Sequence, residues 1–394
     1  MAYTVLARRY RSQSFDDVVG QEPIARTIKN AISTGRVAHA YLFSGTRGVG
    51  KTSLARIFAR ALNAPDTVEG APKPDGQEYP DLDVQQRMAE AIMRGDDLNV
   101  IEIDGASNNS VDQARQLIAN AGLSPTGNAL HKVYIIDEVH MLSGAAFNAL
   151  LKTMEEPPSH VKFILCTTEP HKVPATIQSR CQRFDFRNIP TARIAEHLTS
   201  VLEREGIAAD EQVVWQVARL GNGSMRDALS LLDRLIATGE SPLTSETLEQ
   251  MLGLPAQELV NQLIDALAAG DVAASLSRTG DLLTRGISQD QLIEVLIEQL
   301  RQLMLVAACG ADSELIELSD EARKEAAERA QQFDAAGLTY MIALCDALQR
   351  NVKSSASPRA LLDATVVRLA LAEKMADVSA LLSGDGRAGA VKKA

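Results

Sequence analysis

The stretch Gly45-Thr46-Arg47-Gly48-Val49-Gly50-Lys51-Thr52 decides the fold. It fits Gly-x-x-x-x-Gly-Lys-[Ser/Thr], in which glycines let backbone N–H groups converge on an anion, the lysine reaches the β- and γ-phosphates and the hydroxyl ligates Mg²⁺. At average glycine usage, a chance match in a chain this long has a probability of about one or two in a hundred. The flanking residues agree with the motif. Ala40-Tyr41-Leu42-Phe43 reads as a short buried strand, and from Ser53 to Leu62 the residues Leu54, Ile57, Phe58, Ala61 and Leu62 share one helical face. Strand, glycine loop and helix start together make an anion site, because the first N–H groups of the helix and its dipole add to the pull on phosphate. A nucleoside triphosphate is the expected ligand.

At 394 residues the chain exceeds one ordinary domain. Hydrophobic residues at 45% with charged residues at 23% are those of a globular protein with ample core. No apolar run approaches a membrane span, and nothing at the N-terminus resembles a signal peptide, so no membrane contact is expected. Cys166, Cys181, Cys309 and Cys345 lack C-x-x-C spacing. That argues against a disulfide framework and a cysteine zinc site, and places the chain in a reducing cytoplasm. A net charge of −11 excludes nucleic-acid binding through the overall field, leaving local patches or helix N-termini.

Working outward from the loop, Glu22 to Thr34 carries an apolar stripe through Ile24, Ile28, Ala31 and Ile32, closed by Gly35. Asn63 to Asp83 holds Pro65, Pro72, Pro74 and Pro80 among acids and glycines and reads as an irregular surface insertion. Leu98 to Ile103, Lys132 to Ile136 and Val161 to Cys166 read as strands, with a helix from Gly144 to Glu156 stopped by Pro157-Pro158. Alternating strands and helices imply an α/β core around a parallel sheet. Beyond Arg180 the β runs cease, and helices are expected at Thr191 to Glu205, Glu211 to Leu220 and Ser224 to Ala237. Longer ones follow at Gln257 to Ala269, Gln289 to Ala308, Ala335 to Gln349 and Ala360 to Ala376. The expected division is a core over 1–178, a small helical lid over 179–243, an all-α domain over 244–375 and a disordered tail over 376–394.

A phosphate loop binds without necessarily hydrolysing, so a carboxylate pair at the end of a buried strand is the next requirement. Val133-Tyr134-Ile135-Ile136-Asp137-Glu138 supplies it. Asp137 is placed to hold Mg²⁺ together with Thr52, and Glu138 to polarise water near the γ-phosphate. His39 and His140 have no metal-ligand company and read as packing or hydrogen-bonding residues.

Glu138 is followed by Val139-His140-Met141-Leu142 and then by Phe147-Asn148-Ala149-Leu150-Leu151-Lys152-Thr153-Met154-Glu155-Glu156-Pro157-Pro158. This resembles a clamp-loader ATPase. Leu6-Ala7-Arg8-Arg9-Tyr10-Arg11, Phe15, Val18-Val19-Gly20-Gln21, His39 to Gly45, Ser179-Arg180-Cys181 and Gly223-Ser224-Met225-Arg226-Asp227-Ala228-Leu229 follow in matching order. Through about residue 375 the chain is similar to the gamma/tau family of bacterial DNA polymerase III. The resemblance implies an AAA+ fold with core, lid and collar, acting in a five-subunit ring with delta- and delta-prime-type partners. It implies ATP hydrolysis to open a sliding clamp and load it on primed DNA. By the same resemblance Thr168 matches the first sensor of the γ-phosphate, Arg226 the second sensor in the lid, and Arg180 the finger that reaches a neighbour's ATP. Tyr10, Arg11, Val18 and Val19 are the implied adenine contacts. Asn108, Asn109 and Ser110 are candidate DNA contacts from a polar helix start.

One departure stands out: the family usually holds a structural zinc with four cysteines after the phosphate-loop helix, yet 63–97 contains neither cysteine nor histidine. No zinc is therefore expected. Two other functions compete with clamp loading: a scaffold that binds nucleotide without turnover, and a branch-migration helicase sharing the core. The intact loop, acid pair and finger speak against the first, and the long helical third domain against the second.

Overall fold

The computed structural model describes residues 3–69, 71–73, 79–107, 123–313 and 315–372. It comprises two compact units, one formed by Met1–Glu205 with Val217–Arg234, the other by Gly206–Gln216 with Leu235–Ala394.

The first unit opens with the short helix α1 (Leu6–Arg9) and α2 (Glu22–Ser33), followed by β1 (Ala40–Ser44), α3 (Lys51–Asn63) and α4 (Leu82–Arg94). Then come β2 (Val100–Asp104), β3 (Lys132–Asp137), α5 (Gly144–Glu155), β4 (Val161–Thr167), α6 (Ala175–Gln178) and β5 (Gln182–Asp185). The strands form one parallel sheet in the order β2-β3-β4-β1-β5. Strands covered on both faces read as continuous apolar runs, which is why β1, β3 and β4 were legible. Successive side chains still separate to opposite faces. Tyr41, Phe43, Val133, Ile135, Ile164 and Cys166 pack with Ile57 and Phe58 of α3, while Leu42, Tyr134, Ile136, Phe163 and Leu165 pack with Phe147, Leu150 and Met154 of α5.

Two elements differ from expectation. The strand run does not end at Arg180: β5 continues the sheet beside β1. Its Gln-Arg-Phe-Asp sequence is a mostly exposed edge, so it lacks the apolar signal of the inner strands. The insertion also carries regular structure, a 3-10 turn at Pro65–Thr67 and then α4, whose Ala89 and Ile92 pack inward.

This cysteine-free segment closes on a polar network. Gln85 is 1% exposed. Its amide donates to Asp66 Oδ2 and the Pro80 carbonyl, both at 2.7 Å, and its carbonyl accepts from the Asp66 N–H at 2.9 Å. Lys73 pairs with Asp66, and the Arg60 Nη2 group donates to the Thr67 carbonyl at 2.5 Å. The Gln85 carboxamide and the Arg60 guanidinium are buried beside the exposed Asp66, and without thiol or imidazole the segment does not fit a zinc ion.

After β5, α7 (Thr191–Glu205), α8 (Glu211–Leu220) and α9 (Met225–Ile236) follow; α7 and the Val217–Arg234 stretch belong to the first unit. The second unit continues through α10 (Ser245–Leu252), α11 (Gln257–Ala268), α12 (Val272–Thr284), α13 (Gln289–Cys309), α14 (Asp320–Ala330), α15 (Ala335–Val352) and α16 (Pro358–Ala370). Its core runs from Val260 and Leu263 through Leu292, Leu296 and Leu300 to Leu338, Met341, Leu362 and Val366. The helices α10, α12 and α14 were not read from sequence; α14 is charged throughout and buries only Ala326 and Ala330, so it has no wide apolar stripe. The expected tail lies outside the described residues. Among those described, no helix is long and apolar enough to cross a membrane.

Replacing the buried Gln85 by Leu removes at once its three hydrogen bonds to Asp66 and Pro80, each of a kind that contributes about 0.5–1.5 kcal/mol. The thermal midpoint of Gln85→Leu should fall by several degrees, while a chelator leaves that of the native chain unchanged. Thermal melts of both proteins, and of the native chain with and without chelator, check this.

Burial, and secondarily Lys162, lowers the His131 pKa from 6.5 to about 4. A base with a lowered folded pKa stays neutral in the native state and takes up protons on unfolding, so its stabilising share is present above about 6.5 and is lost toward about 4. Urea unfolding at pH 7, 6, 5 and 4.5 should show stability declining across that window, with a shallower decline in His131→Gln.

Candidate active site

The loop after β1 needs backbone that side chains disfavour. Gly48 has φ +78°, and a Cβ there would lie 1.9 Å from Ser224 Oγ and 3.2 Å from Arg226 Cβ. Gly50, at φ 101°, is the N-cap of α3. The motif's glycines thus turn the chain and let α9 approach it; the Arg226 N–H lies 3.4 Å from the Gly48 carbonyl. Thr46 Oγ1 is 2.6 Å from Asn188 Oδ1.

Lys51 begins α3 and is 6% exposed. Its Nζ donates to the carbonyls of Gly45 and Thr46, both at 2.7 Å. Burial lowers its pKa, against the opposing pull of Glu138 and Asp137. A desolvated ammonium held only by neutral carbonyls gains by meeting a polyanion. Thr52 Oγ1 donates to Asp137 Oδ2 at 2.8 Å, uniting a hydroxyl and a carboxylate from α3 and β3. Both are hard oxygen donors, the set that suits Mg²⁺.

Glu138 follows at φ +46°, a conformation uncommon for a residue with a side chain. Thr168 Oγ1 donates to Glu138 Oε2 at 3.0 Å, and the Thr168 N–H lies 3.3 Å from the same oxygen. The structure therefore brings Thr168, just past β4, onto the acid that ends β3. It adds a neighbour read from sequence only as a packing or hydrogen-bonding residue. His140, 6% exposed, lies 3.0 Å from Thr167 Oγ1 and 3.4 Å from Glu138 Oε2 through Nδ1, and 3.3 Å from Glu169 Oε1 through Nε2. Its position three residues beyond Asp137 was visible; that the 3-10 turn Val139–Met141 folds it back under Glu138 was not.

Gly48, Gly50, Lys51, Thr52, Asp137 and Glu138 line a cavity of about 770 Å³, within the usual size of ligand sites, while Thr168 and His140 reach Glu138 from outside that lining. Tyr10, Arg11, Val18, Val19, Arg47 and Arg226 line it with the loop, as do Ile189, Met225 and Leu229. Ile189 carries no motif of its own, and Met225 and Leu229, though inside the Gly223 to Leu229 stretch, have no sequence signal that marks them as cavity lining. Seven lysine or arginine residues line the cavity against three acidic ones, reversing the sign of the whole chain. Among the described residues, no hydrogen bond or ion pair engages the side chains of Arg11, Arg47 and Arg226. Tyr10 hydrogen-bonds Glu205, which raises its pKa, and Arg9 pairs with Glu205 at 3.0 Å, so the N-terminal segment is tied to α7.

Arg180 is absent from the lining. Its Nη2 donates to Glu155 Oε1 at 2.7 Å and its Nη1 to the Thr176 carbonyl at 2.8 Å, with the side chain 33% exposed. Asn108, Asn109 and Ser110 lie outside the described residues.

A parallel sheet with a phosphate loop after β1, an acid pair after β3 and a helical lid reaching that loop defines the AAA+ class of P-loop ATPases. Family models match the chain consecutively: DNA polymerase III delta subunit over residues 20–190, the ATPase lid domain of the DNA polymerase III clamp-loader subunit over 193–241, and domain III of DNA polymerase III subunits gamma and tau over 243–384. The gamma subunit of DNA polymerase III from Buchnera aphidicola is 40% identical over 77% of this chain and 80% of its own length. The chain belongs to the DNA polymerase III gamma/tau family. The tau subunit from Bacillus subtilis is 40% identical over 94% of this chain, which spans 63% of that protein's length. Among solved structures, the Thermotoga maritima RuvB Holliday junction branch migration motor is 16% identical at a TM-score of 0.45, covering 80% of this chain and 97% of that one.

An alanine at position 48 would need a left-handed backbone and would drive its methyl into Ser224. Gly48→Ala should weaken binding of a fluorescent ATP analogue by about tenfold or more, equivalent to about 1.4 kcal/mol. The sheet lies outside the affected contact, so the thermal midpoint should move by only a few degrees.

Proposed function

We propose that the chain is the ATP-driven motor subunit of a clamp loader within the DNA polymerase III holoenzyme. With delta- and delta-prime-type partners in a five-subunit ring, it would open a sliding clamp and set it on primed DNA in the cytoplasm. The division we propose is an ATPase core over 1–178, a lid over 179–243 and a helical collar over 244–375. The observation that carries the reading is the meeting of Thr52, Asp137 and Glu138 in one cavity lined by Lys51 and Arg226, with Thr168 hydrogen-bonded to Glu138.

In this reading the N–H groups from Gly45 to Thr52 and the Lys51 ammonium cradle the triphosphate. Thr52 and Asp137 would hold Mg²⁺, which when bound neutralises phosphate charge. Glu138, its Oε2 fixed by Thr168, accepts the proton of the attacking water as the γ-phosphate bond breaks. Thr168 thereby couples the position of the base to the end of β4. Arg226, without a partner of its own among the described residues, meets phosphate from the lid, so that nucleotide draws lid and loop together. Adenine lies against Tyr10, Arg11, Val18 and Val19, with Ile189, Met225 and Leu229 enlarging the apolar wall. Arg180 acts on the ATP of the adjoining subunit, which accords with its absence from its own cavity. ATP binding organises the ring, and hydrolysis releases the closed clamp on DNA.

Glu138→Gln should preserve ATP affinity and lower turnover by about 10²–10⁴-fold. Arg180→Ala should leave affinity unchanged and lower turnover of the assembled complex by about 10³-fold or more. The assay is ATP turnover with partner subunits, clamp and primed DNA. Native turnover that fails to respond to clamp and primed DNA together, or an unimpaired Glu138→Gln, would refute clamp loading by this site.

A further inference from the structure

Resting on the assignment of Arg180 as a finger, we infer that Glu155 is a positioning residue for it, acting through hydrogen bonding rather than contributing to the stability of the fold. α5 must stop where it does, because Pro157 excludes helical backbone at Glu156, which leaves the helix at φ −127° and ψ 69°. Glu155 is therefore the last helical residue, at the end whose unpaired carbonyls favour a cation. Arg180 meets this end with Nη2 on Glu155 Oε1 at 2.7 Å, while Nη1 reaches the Thr176 carbonyl at 2.8 Å. The base of the residue is held too, since its N–H donates to the Ile177 carbonyl at 3.0 Å.

A guanidinium has five N–H donors, so two contacts leave three for another acceptor. The side chain remains one-third exposed at 33%, and Glu155 is 52% exposed. An ion pair so open to water contributes little to folding. What it does is restrict a long, rotamer-rich side chain to one direction before a neighbouring subunit arrives. That matters because a finger acts by placing charge where it develops on phosphate, and small misplacements carry large rate costs. Glu155 itself touches no nucleotide in this account.

The test uses the complete complex of this chain with its partner subunits, clamp and primed DNA. Glu155→Ala should lower kcat roughly five- to tenfold with KM for ATP and the ATP affinity of the isolated chain within about twofold of native. Glu155→Gln, whose amide oxygen still accepts an N–H, should recover at least half of the loss. In an Arg180→Ala background, adding Glu155→Ala should lower the residual rate by less than about twofold, since a residue acting through Arg180 has nothing left to aim. The inference is overturned if Glu155→Ala turns over ATP at or above the native rate, if Gln does no better than Ala, or if the loss persists in the Arg180→Ala background. An Arg180→Ala complex with native turnover removes the finger assignment itself, whereas an impaired Arg180→Ala beside a native-like Glu155→Ala removes only the role of Glu155.

Discussion

The hydrogen bond from Thr52 to Asp137 spans 85 residues and joins the first turn of α3 to the tip of β3. It forms only because β4 lies between β1 and β3, so that three parallel strands end together beneath the phosphate loop. Register is as important as order. Ile135 pairs with Ile164 and Ile136 with Leu165, while Phe43 pairs with Cys166. A slip of one residue would turn every side chain of β3 to the opposite face, removing Asp137 from Thr52 and burying polar groups in the layer beneath α5. The apolar alternation that builds the two core layers is thus the same constraint that aims the acid pair.

The electrostatics follow from this convergence. An acidic chain gathers seven basic residues around one cavity, drawn from the N-terminal segment, the loop, α3, α4 and the lid helix α9. Lys51 carries the sharpest tension, a nearly buried cation on two carbonyls. Arg226 and Ser224 bring the lid to the loop across a glycine with no room for a side chain. Occupancy of the cavity and the position of the lid therefore share the same contacts.

Much of this is legible in the sequence. The loop, the acid pair and the inner strands have signals that survive without context: a fixed glycine spacing, and apolar runs on strands buried on both faces. β5 escaped because an exposed edge strand of four residues needs no apolar pattern, its pairing being supplied by β1. α4 escaped because prolines and acids before it suggested irregular chain, and its buried amide Gln85 reads from sequence as a surface residue. His140 reads from sequence as a packing or hydrogen-bonding residue, and its contacts depend on a turn that folds it between Glu138 and Glu169.

Sequence alone determined that this chain holds a triphosphate-type loop on an α/β core followed by helical domains, because those properties rest on local backbone geometry and on periodicity along the chain. Only tertiary structure decided that Thr168 fastens Glu138, that Gln85 closes the segment before β2, and that Arg180 rests on Glu155 outside its own cavity. Each of these joins groups that are far apart in sequence and chemically ordinary taken singly. Their meaning comes from distance in space, which the packing of the sheet and its helices supplies.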